Sequence, residues 1–279
     1  MKQITIVGLG LIGGSLALAL RGFEDYEVVG AVRSDETMRI AAARGAADRL
    51  TKDIKAAVQT ADVTILCAPP QGIVALLQEY KDDFKPGSLV TDVCGIKTAV
   101  MEAAKVLPAS VDFIGGHPMA GRETSGMAHA EKEMFRGAHY LLTPEKTSTP
   151  EHIALLRRMA MYLGCRDVVE TTPLQHDELI AYTSQVMHIM AVAVCDDPDL
   201  FSCRGFEGNS FRDCTRVAAL DVPLWTQLFS MNVDALCKMI RRLEENLKSY
   251  REVLEAGDTK RLAEKLTYSA NRKRQMNLE

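Results

Sequence analysis

The stretch VGLGLIGGSLA, residues 7–17, decides the fold. Gly8, Gly10 and Gly13 stand in the order G-x-G-x-x-G, between an apolar run that predicts a strand and an apolar run that predicts a helix. In such a turn the first glycine permits a sharp bend, the second lets a pyrophosphate approach, and the third lets helix and strand pack closely. The free N–H groups of the helix start also favour phosphate. The motif predicts a dinucleotide site made by Gly8, Leu9, Gly10, Leu11, Ile12 and Gly13.

Strands and helices alternate from this motif to about residue 171. Apolar runs predict buried strands at residues 3–7, 27–32, 62–68, 88–93 and 112–116, and two further strands at residues 138–144 and 166–173. Helix-periodic segments separate most of them, and one such helix is predicted at residues 151–163. Hydrophobic strands that alternate with helices are typical of a parallel sheet covered on both faces. The fold class is therefore α/β, with an N-terminal Rossmann-type, doubly wound, mostly parallel sheet.

The pattern becomes purely helical after Pro173. Residues 174–194 predict one long, largely buried helix, and a later helix carries an apolar seam from Leu236 to Leu254. Gly257 is predicted to end that helix and Asp258 to cap the next one. We therefore predict a dinucleotide-binding domain at residues 1–171 and an all-helical substrate and dimerisation domain at residues 172–279. A homodimer through the helical domain is expected, although the seam could equally fill the chain's own core.

Composition narrows the class of protein. The 279 residues are 47% hydrophobic and carry a formal net charge of −4, which argues against a nucleic-acid partner. Seven cysteines, an odd number without a C-x-x-C pair, disfavour a disulfide scaffold and a zinc site, so no metal is expected. Neither a signal peptide nor an uncharged apolar run of spanning length is visible. We expect a cytoplasmic protein with a small-molecule substrate and no membrane contact.

The end of the second predicted strand bears on the choice of cofactor. An acidic residue there would bind the 2′-hydroxyl of NAD, but the position holds Val32, followed by Arg33 and Ser34. An arginine and a hydroxyl are the groups expected around a 2′-phosphate. The sequence therefore favours NADP, while NAD stays possible and Arg33 could be a solvated surface charge.

Three strand ends are expected to lie beside the nicotinamide, because ligands of open α/β sheets bind beyond the carboxyl ends of the strands. These ends are CAPP at residues 67–70, DVCGIK at residues 92–97 and GGHP at residues 115–118. We predict cofactor contacts from Cys67, Ala68, Pro69 and Asp92. His117 is placed to accept a proton from a substrate hydroxyl while hydride leaves the same carbon, which makes it the candidate general base. An ordinary turn histidine is the alternative.

Four segments together resemble the prephenate/arogenate dehydrogenase family. They are VGLGLIGGSLA, TDVCGIK, GGHPMAGRETSG and the late SFRDCTRVA with DVPLW, so the resemblance runs the length of the chain. It implies oxidation of prephenate or arogenate with NAD(P), loss of the ring carboxylate as CO₂, and a dinucleotide domain joined to a helical dimerisation domain. The length leaves no room for an additional mutase or regulatory domain.

The resemblance also implies roles for individual residues. His117 matches the family histidine that hydrogen-bonds the substrate hydroxyl, and Arg216 matches the arginine that binds a substrate carboxylate, for which a guanidinium is suited. Trp225 matches a family tryptophan near the substrate. A surface ion pair for Arg216 and core packing for Trp225 are the alternatives.

The chain departs from the family pattern at two positions. A loop serine near the catalytic histidine is replaced by Gly95, so that hydroxyl is missing. A second family histidine corresponds to Gln185, and His188 follows nearly one helical turn later, where it could point into the same cleft. Gln185 and His188 are therefore predicted substrate-binding residues. The remaining histidines are expected at the surface: His129, His139, His152 and His176.

Other functions stay open. We favour prephenate over arogenate, although no acidic partner for an ammonium group can be identified. A β-hydroxyacid dehydrogenase or imine reductase would share the domain order, but such enzymes lack the HPMAG loop. A non-catalytic NADP-sensing dimer is the alternative from a different class, and only the loss of the serine at Gly95 favours it.

Overall fold

The computed structural model describes residues 1–122 and 124–276, so Glu123 of the GGHPMAGRETSG motif lies outside the described residues. The chain forms two compact units, Met1–Asn232 and a second that begins at Val233. The first unit contains the whole sheet and the first ten helices of the described residues. The domain boundary predicted near Thr172 falls inside the first unit. The division into a dinucleotide-binding domain and a helical domain at that point stays a prediction.

Eight strands form one sheet in the order β3-β2-β1-β4-β5-β6-β7-β8. All seven predicted strands are present, and no end is shifted by more than three residues. The strands are β1 (Lys2–Val7), β2 (Tyr26–Ala31), β3 (Arg49–Thr51), β4 (Val63–Leu66), β5 (Leu89–Asp92), β6 (Asp112–Pro118), β7 (His139–Thr143) and β8 (Asp167–Glu170). The sequence missed β3, because three partly exposed residues at the edge carry no apolar run.

The strands from β3 to β6 are parallel, as predicted. Every residue of β4 and β5 is buried, because helices cover both faces of the sheet there. Because β1, β4 and β5 are parallel, their carboxyl ends lie along the same edge of the sheet, where the turn that follows β1 also lies.

β7 runs antiparallel to β6, and this pairing changes the surroundings of His117. The ladder joins Gly115 to Thr143 and continues to Pro118 opposite Tyr140. β6 is therefore two residues longer than predicted, and His117 is a strand residue opposite Leu141 rather than a turn residue. The backbone ladder holds the histidine on a rigid element.

Six helices connect the strands: α1 (Leu11–Leu20), α2 (Asp35–Ala43), α3 (Ile54–Thr60), α4 (Pro70–Glu79), α5 (Thr98–Ala104) and α6 (Pro150–Tyr162). α4 and α6 begin with Pro70 and Pro150, residues whose missing N–H is not needed in a first turn. The predicted helix at residues 151–163 is thus α6, and Gly164, with φ of +82°, follows it.

The long helix predicted at residues 174–194 is one continuous helical run in three parts. α7 (Pro173–Ile180) passes through a π-helical turn, Ala181–Gln185, into α8 (Val186–Cys195). A π turn holds one residue more than an α turn, and such turns are frequent at functional sites. By length and mean hydropathy, 1.3, the run also resembles a membrane-spanning helix. Its His176 and Asp177 are buried and bond to other parts of the first unit. Only 28% of its most apolar 18 residues are buried, however, so the prediction of a largely buried helix is wrong.

The remaining helices are α9 (Asn209–Thr215), α10 (Val222–Ser230), α11 (Val233–Glu255) and α12 (Thr259–Met276). α11 and α12 form the second unit and pack on each other. Gly257, with φ of +63°, lies between them, and the Asp258 carboxylate accepts a hydrogen bond from the Arg261 N–H at 2.9 Å. The predicted helix end and cap are confirmed.

Candidate active site

The turn between β1 and α1 excludes any side chain at two of its three glycines. Gly8 has φ of +95°, and a Cβ there would lie 2.3 Å from the carbonyl oxygen of Cys67. A Cβ on Gly13 would lie 1.9 Å from the carbonyl oxygen of Gly8. Only glycine at both positions lets the turn, the end of β4 and α1 approach one another this closely.

Gly10 differs from its neighbours because it faces open space. No atom lies within 4 Å of the position that its Cβ would occupy. It precedes α1 without a side-chain cap, so the first-turn N–H groups are available to an anion. This opening fits the pyrophosphate of a dinucleotide. Leu9 is 2% exposed and packs near Gly30, which leaves only its backbone for a ligand.

These two environments predict different consequences of the same substitution. Gly10→Ala is expected to keep the melting temperature, since φ of −78° suits alanine, but to weaken NAD(P) binding at least tenfold by obstructing the pyrophosphate. Gly13→Ala is expected to cost about 1–3 kcal/mol of folding stability through overpacking. Thermal unfolding and cofactor titration of both variants measure the difference. Equal stability losses would contradict the assignment.

Arg33 and Ser34, the predicted 2′-phosphate ligands, follow β2 at the surface. The Arg33 guanidinium donates to the Glu79 carboxylate at 2.8 Å, and hydrogen bonding to Tyr80 raises its pKa further above the usual range. The Ser34 hydroxyl accepts from the Thr37 N–H at 3.3 Å and so caps α2. Both residues stand where the sequence predicted, but Arg33 already has an anionic partner.

Cys67, the first residue after β4, lies against the glycine turn. The Cys67 N–H donates to the Val7 carbonyl at 2.8 Å, and Ala68 is partly buried. Pro69 is exposed at the start of α4. Burial raises the pKa of the Cys67 thiol far above its usual range, so this sulfur stays a neutral thiol. The structure thus places Cys67 against Gly8, and Ala68 and Pro69 follow it along the backbone.

Asp92 was predicted to contact the cofactor, but the structure gives its carboxylate other partners. The side chain is fully buried and accepts hydrogen bonds from the Lys97 ammonium, the Cys94 N–H at 2.8 Å and the Gly116 N–H at 3.2 Å. Lys97 is also fully buried. We therefore correct the role of Asp92: it joins β5, its following loop and β6, and so shapes the edge at which His117 lies.

His117 contacts a second histidine. Its Nδ1 lies 2.9 Å from Nε2 of His176, and Nδ1 of His176 lies 2.8 Å from the Asp177 carboxylate. Burial, reinforced by repulsion from His176 and Lys97, holds the pKa of His117 well below its usual value. His117 is therefore neutral at physiological pH and has the protonation state that a general base needs.

His176 is the residue that sequence reasoning missed. It was expected at the surface, whereas it is 1% exposed and lies between His117 and Asp177. The chain separates it from His117 by 59 residues, so no local pattern could join them. The one available signal was the adjacent His-Asp pair in the first turns of a helix. His129 and His139 are exposed as expected, and His152 is partly buried against Asp112.

Gly95 leaves room beside the reactive edge of His117. The position of a Gly95 Cβ would be 3.7 Å from both Cε1 and Nε2 of the His117 ring, and 3.5 Å from a Leu228 methyl group. The imidazole edge opposite the His176 contact therefore faces this loop. A serine at this position would reach the same edge, so its absence widens the space at Nε2.

α10 carries an aromatic cluster close to this loop. The rings of His188 and Trp225 stack with centroids 3.6 Å apart, and Phe229 lies 5.2 Å from Trp225. Leu228 of the same helix packs toward Gly95. The His188 Nδ1 bonds to the Ser184 carbonyl at 3.0 Å, and burial lowers its pKa. The structure therefore brings His188 and Trp225, which were predicted separately as substrate-binding residues, into direct contact.

Gln185 does not face a cleft. It is 1% exposed, its amide oxygen accepts from Asn232 at 2.8 Å, and its amide nitrogen donates to the Leu228 carbonyl at 3.2 Å. Both ends of the amide are therefore used within the protein. The predicted role in substrate binding is wrong on this geometry, and Gln185 instead joins the π turn to α10.

Arg216 is exposed and begins a 3₁₀ turn, Arg216–Ala218, directly after α9. This turn packs against α8, the helix that carries His188. Arg216 thus lies in the helical part of the first unit. Within residues 1–122 and 124–276, no group of three or more His, Cys, Asp or Glu side chains is placed to bind a metal.

Both parts of the chain match models of a single protein family. Residues 16–169 match the family model described as prephenate dehydrogenase, nucleotide-binding domain, and residues 172–268 match prephenate dehydrogenase, dimerization domain. The chain is 32% identical over 256 residues to a prephenate dehydrogenase of Lactococcus lactis, covering 88% of this chain and 70% of that protein.

Two solved structures share the whole fold. Synechocystis arogenate dehydrogenase is 31% identical with a TM-score of 0.84, and covers 98% of this chain and 99% of its own. Prephenate dehydrogenase from A. aeolicus, solved with hydroxyphenyl propionate and NAD+, is 26% identical with a TM-score of 0.88, and covers 99% and 98%.

Proposed function

Because the chain belongs to the prephenate dehydrogenase family, we propose that it catalyses the oxidative decarboxylation of prephenate to 4-hydroxyphenylpyruvate. It is an NAD(P)-dependent dehydrogenase. The observation that carries the proposal is the neutral, partly buried His117. It lies on β6, beside β5, at the same carboxyl edge of the sheet as the glycine turn.

His117 performs the proton transfer. Its Nε2 accepts the proton of the substrate ring hydroxyl, so an O–H bond breaks and an N–H bond forms as the hydroxyl-bearing carbon is oxidised. A bound nicotinamide would supply the hydride acceptor for that carbon. The ring carboxylate then leaves as CO₂, and its bonding electrons complete the aromatic ring. The proton on His117 returns to the ring oxygen.

The helical side binds the substrate. Arg216 holds a substrate carboxylate with its guanidinium, which offers a fork of donors to two oxygens. The stacked rings of His188 and Trp225 supply an apolar wall and exclude water from the reacting ring. Gly10 and the first turn of α1 hold the pyrophosphate.

Arogenate is the second candidate substrate, because a solved arogenate dehydrogenase is 31% identical to the chain along its length. Steady-state kinetics with prephenate and arogenate, each with NAD and with NADP, tests the proposal. We expect the highest kcat/KM for prephenate. A higher value for arogenate would transfer the assignment, and inactivity with both substrates alongside tight cofactor binding would favour a sensing role.

The NADP preference makes Arg33 a testable residue. A 2′-phosphate must compete with Glu79 for the guanidinium, so Arg33→Ala is expected to lower kcat/KM with NADP about tenfold or more and to change kcat/KM with NAD little. Glu79→Gln is expected to act in the opposite direction. Arg49→Ala, at an exposed arginine paired with Glu27, is the matched control. Equal effects on both cofactors would contradict the preference.

The proposed assembly is a cytoplasmic homodimer formed through the helices. Three leucines of the second unit are more than half exposed: Leu247, Leu254 and Leu266. Leu247 and Leu254 belong to the seam predicted from sequence, and such an exposed apolar stripe suits a second copy of the chain.

A further inference from the structure

We propose that His176 and Asp177 are positioning residues that set the tautomer of His117, so that Nε2 of His117 is the bare, proton-accepting nitrogen. The inference deepens the proposed function, because it states which atom of the base reacts and why. It rests on a hydrogen-bond relay of three groups: the Asp177 carboxylate, the His176 ring and the His117 ring.

The hydrogen-bond relay begins at the Asp177 carboxylate, which stays ionised. The two oxygens of Asp177 accept from the Lys97 N–H and the Thr98 N–H, both at 2.8 Å, where α5 begins without a side-chain cap of its own. Burial works to raise the pKa of Asp177, but these bonds and the one from His176 outweigh it, and the pKa is lowered. Asp177 is thus a carboxylate that can only accept.

The carboxylate dictates where His176 carries its proton. A group that only accepts requires a donor, so Nδ1 of His176 is the N–H. Burial lowers the pKa of His176, so the ring is neutral and has a single N–H. Its Nε2 is consequently a bare acceptor, and it faces Nδ1 of His117 at 2.9 Å.

The same argument then applies to His117. A bare acceptor at 2.9 Å requires Nδ1 of His117 to be the donor. Since burial and the neighbouring His176 and Lys97 keep His117 neutral, its second nitrogen, Nε2, has no proton. That nitrogen lies on the edge facing Gly95 and the open loop. The opposite tautomer would place two bare nitrogens against each other.

The hydrogen-bond relay also stabilises the product of proton transfer, which is the positively charged His117 ring. When Nε2 of His117 takes the hydroxyl proton, the positive charge on the ring is coupled through His176 to the Asp177 carboxylate, as a carboxylate does in a catalytic triad. The charged groups near His117 are Lys97 and Asp177, and the charge of Lys97 is compensated by its ion pair with Asp92. The Asn232 amide donates to the Asp177 carbonyl at 2.9 Å and fixes the start of the run.

Nitrogen-15 NMR of the wild-type protein reads the tautomer directly. We expect a neutral His117 with its proton on Nδ1, in the protein without ligands and at a pH above its pKa. This measurement needs no variant and no turnover, so it stays decisive if neither prephenate nor arogenate is a substrate. A spectrum with the proton on Nε2 of His117 would overturn the inference.

Two substitutions at His176 separate positioning from packing. The glutamine side chain introduced by His176→Gln offers an amide oxygen to His117 and an amide N–H to Asp177, so kcat is expected to stay within about tenfold of wild type. His176→Leu offers neither and is expected to lose about 10²-fold or more in kcat, with KM for substrate and cofactor nearly unchanged. His152→Gln, at the partly buried His152–Asp112 pair, is the matched control and should leave kcat unchanged.

The outcomes are distinguishable. Equal losses in the glutamine and leucine variants, with thermal unfolding unchanged, would contradict a role through hydrogen bonds. If the leucine variant does not fold, the glutamine variant carries the test, because it should keep His117 protonated on Nδ1 in the nitrogen-15 spectrum. Retained kcat together with the opposite tautomer in that variant would also overturn the inference.

Discussion

Replacing His117 with asparagine is expected to lower turnover by about 10²–10⁴-fold while NAD(P) binding stays the same, because a general base contributes that factor and the cofactor turn lies elsewhere. The asparagine amide can still donate to Nε2 of His176, so the buried contact is kept. What it lacks is a nitrogen that takes a proton on the edge facing Gly95. Steady-state kinetics and cofactor titration measure the two effects separately.

The pH profile gives the same residue a second readout. A lowered His117 pKa means that the base loses activity only when the pH falls below that pKa, so the acid limb of kcat/KM should lie below the usual histidine value of 6.5. His152→Asn serves as the control, because His152 also pairs with a carboxylate, that of Asp112, and is remote from the glycine turn in sequence. Near-normal turnover of His117→Asn would remove His117 from the mechanism.

Breaking the Lys97–Asp92 pair is expected to give the largest loss of stability. Both side chains are fully buried, so Lys97→Met leaves an uncompensated carboxylate inside the protein, at a cost of about 3–5 kcal/mol. For a domain of this size the melting temperature should fall by about 10 °C. Thermal and urea unfolding measure the loss. Lys52→Met, at an exposed lysine paired with Asp35, should cost about 1 kcal/mol or less.

A double variant identifies the cause. Lys97→Met combined with Asp92→Asn removes the buried charge together with its partner, so it should be more stable than Lys97→Met alone. An additive loss in the double variant would mean that packing of the long lysine side chain, rather than charge compensation, stabilises this loop. A loss below about 1 kcal/mol for Lys97→Met would contradict the pairing itself.

The fold followed from local signals. The order of Gly8, Gly10 and Gly13 between two apolar runs predicts the turn, because each glycine has a separate steric reason within a short motif. The central strands were equally visible, since strands buried on both faces are apolar throughout. β3 was invisible for the opposite reason: its three residues at the sheet edge bury too little to need an apolar pattern.

Only part of the candidate active site could be predicted from the sequence. Motif and strand position were enough to select His117, and family resemblance selected Arg216, His188 and Trp225. Resemblance failed at Gln185, where an amide replaced a histidine and turned inward to Asn232 and Leu228. The failure is physical, because a side chain with a donor and an acceptor can be satisfied wholly inside the protein.

By itself, the sequence determined the sheet, the glycine turn and the strand that carries the candidate base, since each depends on steric and apolar patterns within one short segment. Only the tertiary structure decided what surrounds that base. α7 packs against α5, and this packing brings His176 to His117 across 59 residues of chain, with Asp177 behind it. The burial that keeps both rings neutral comes from the same packing, and no periodicity in the sequence records it.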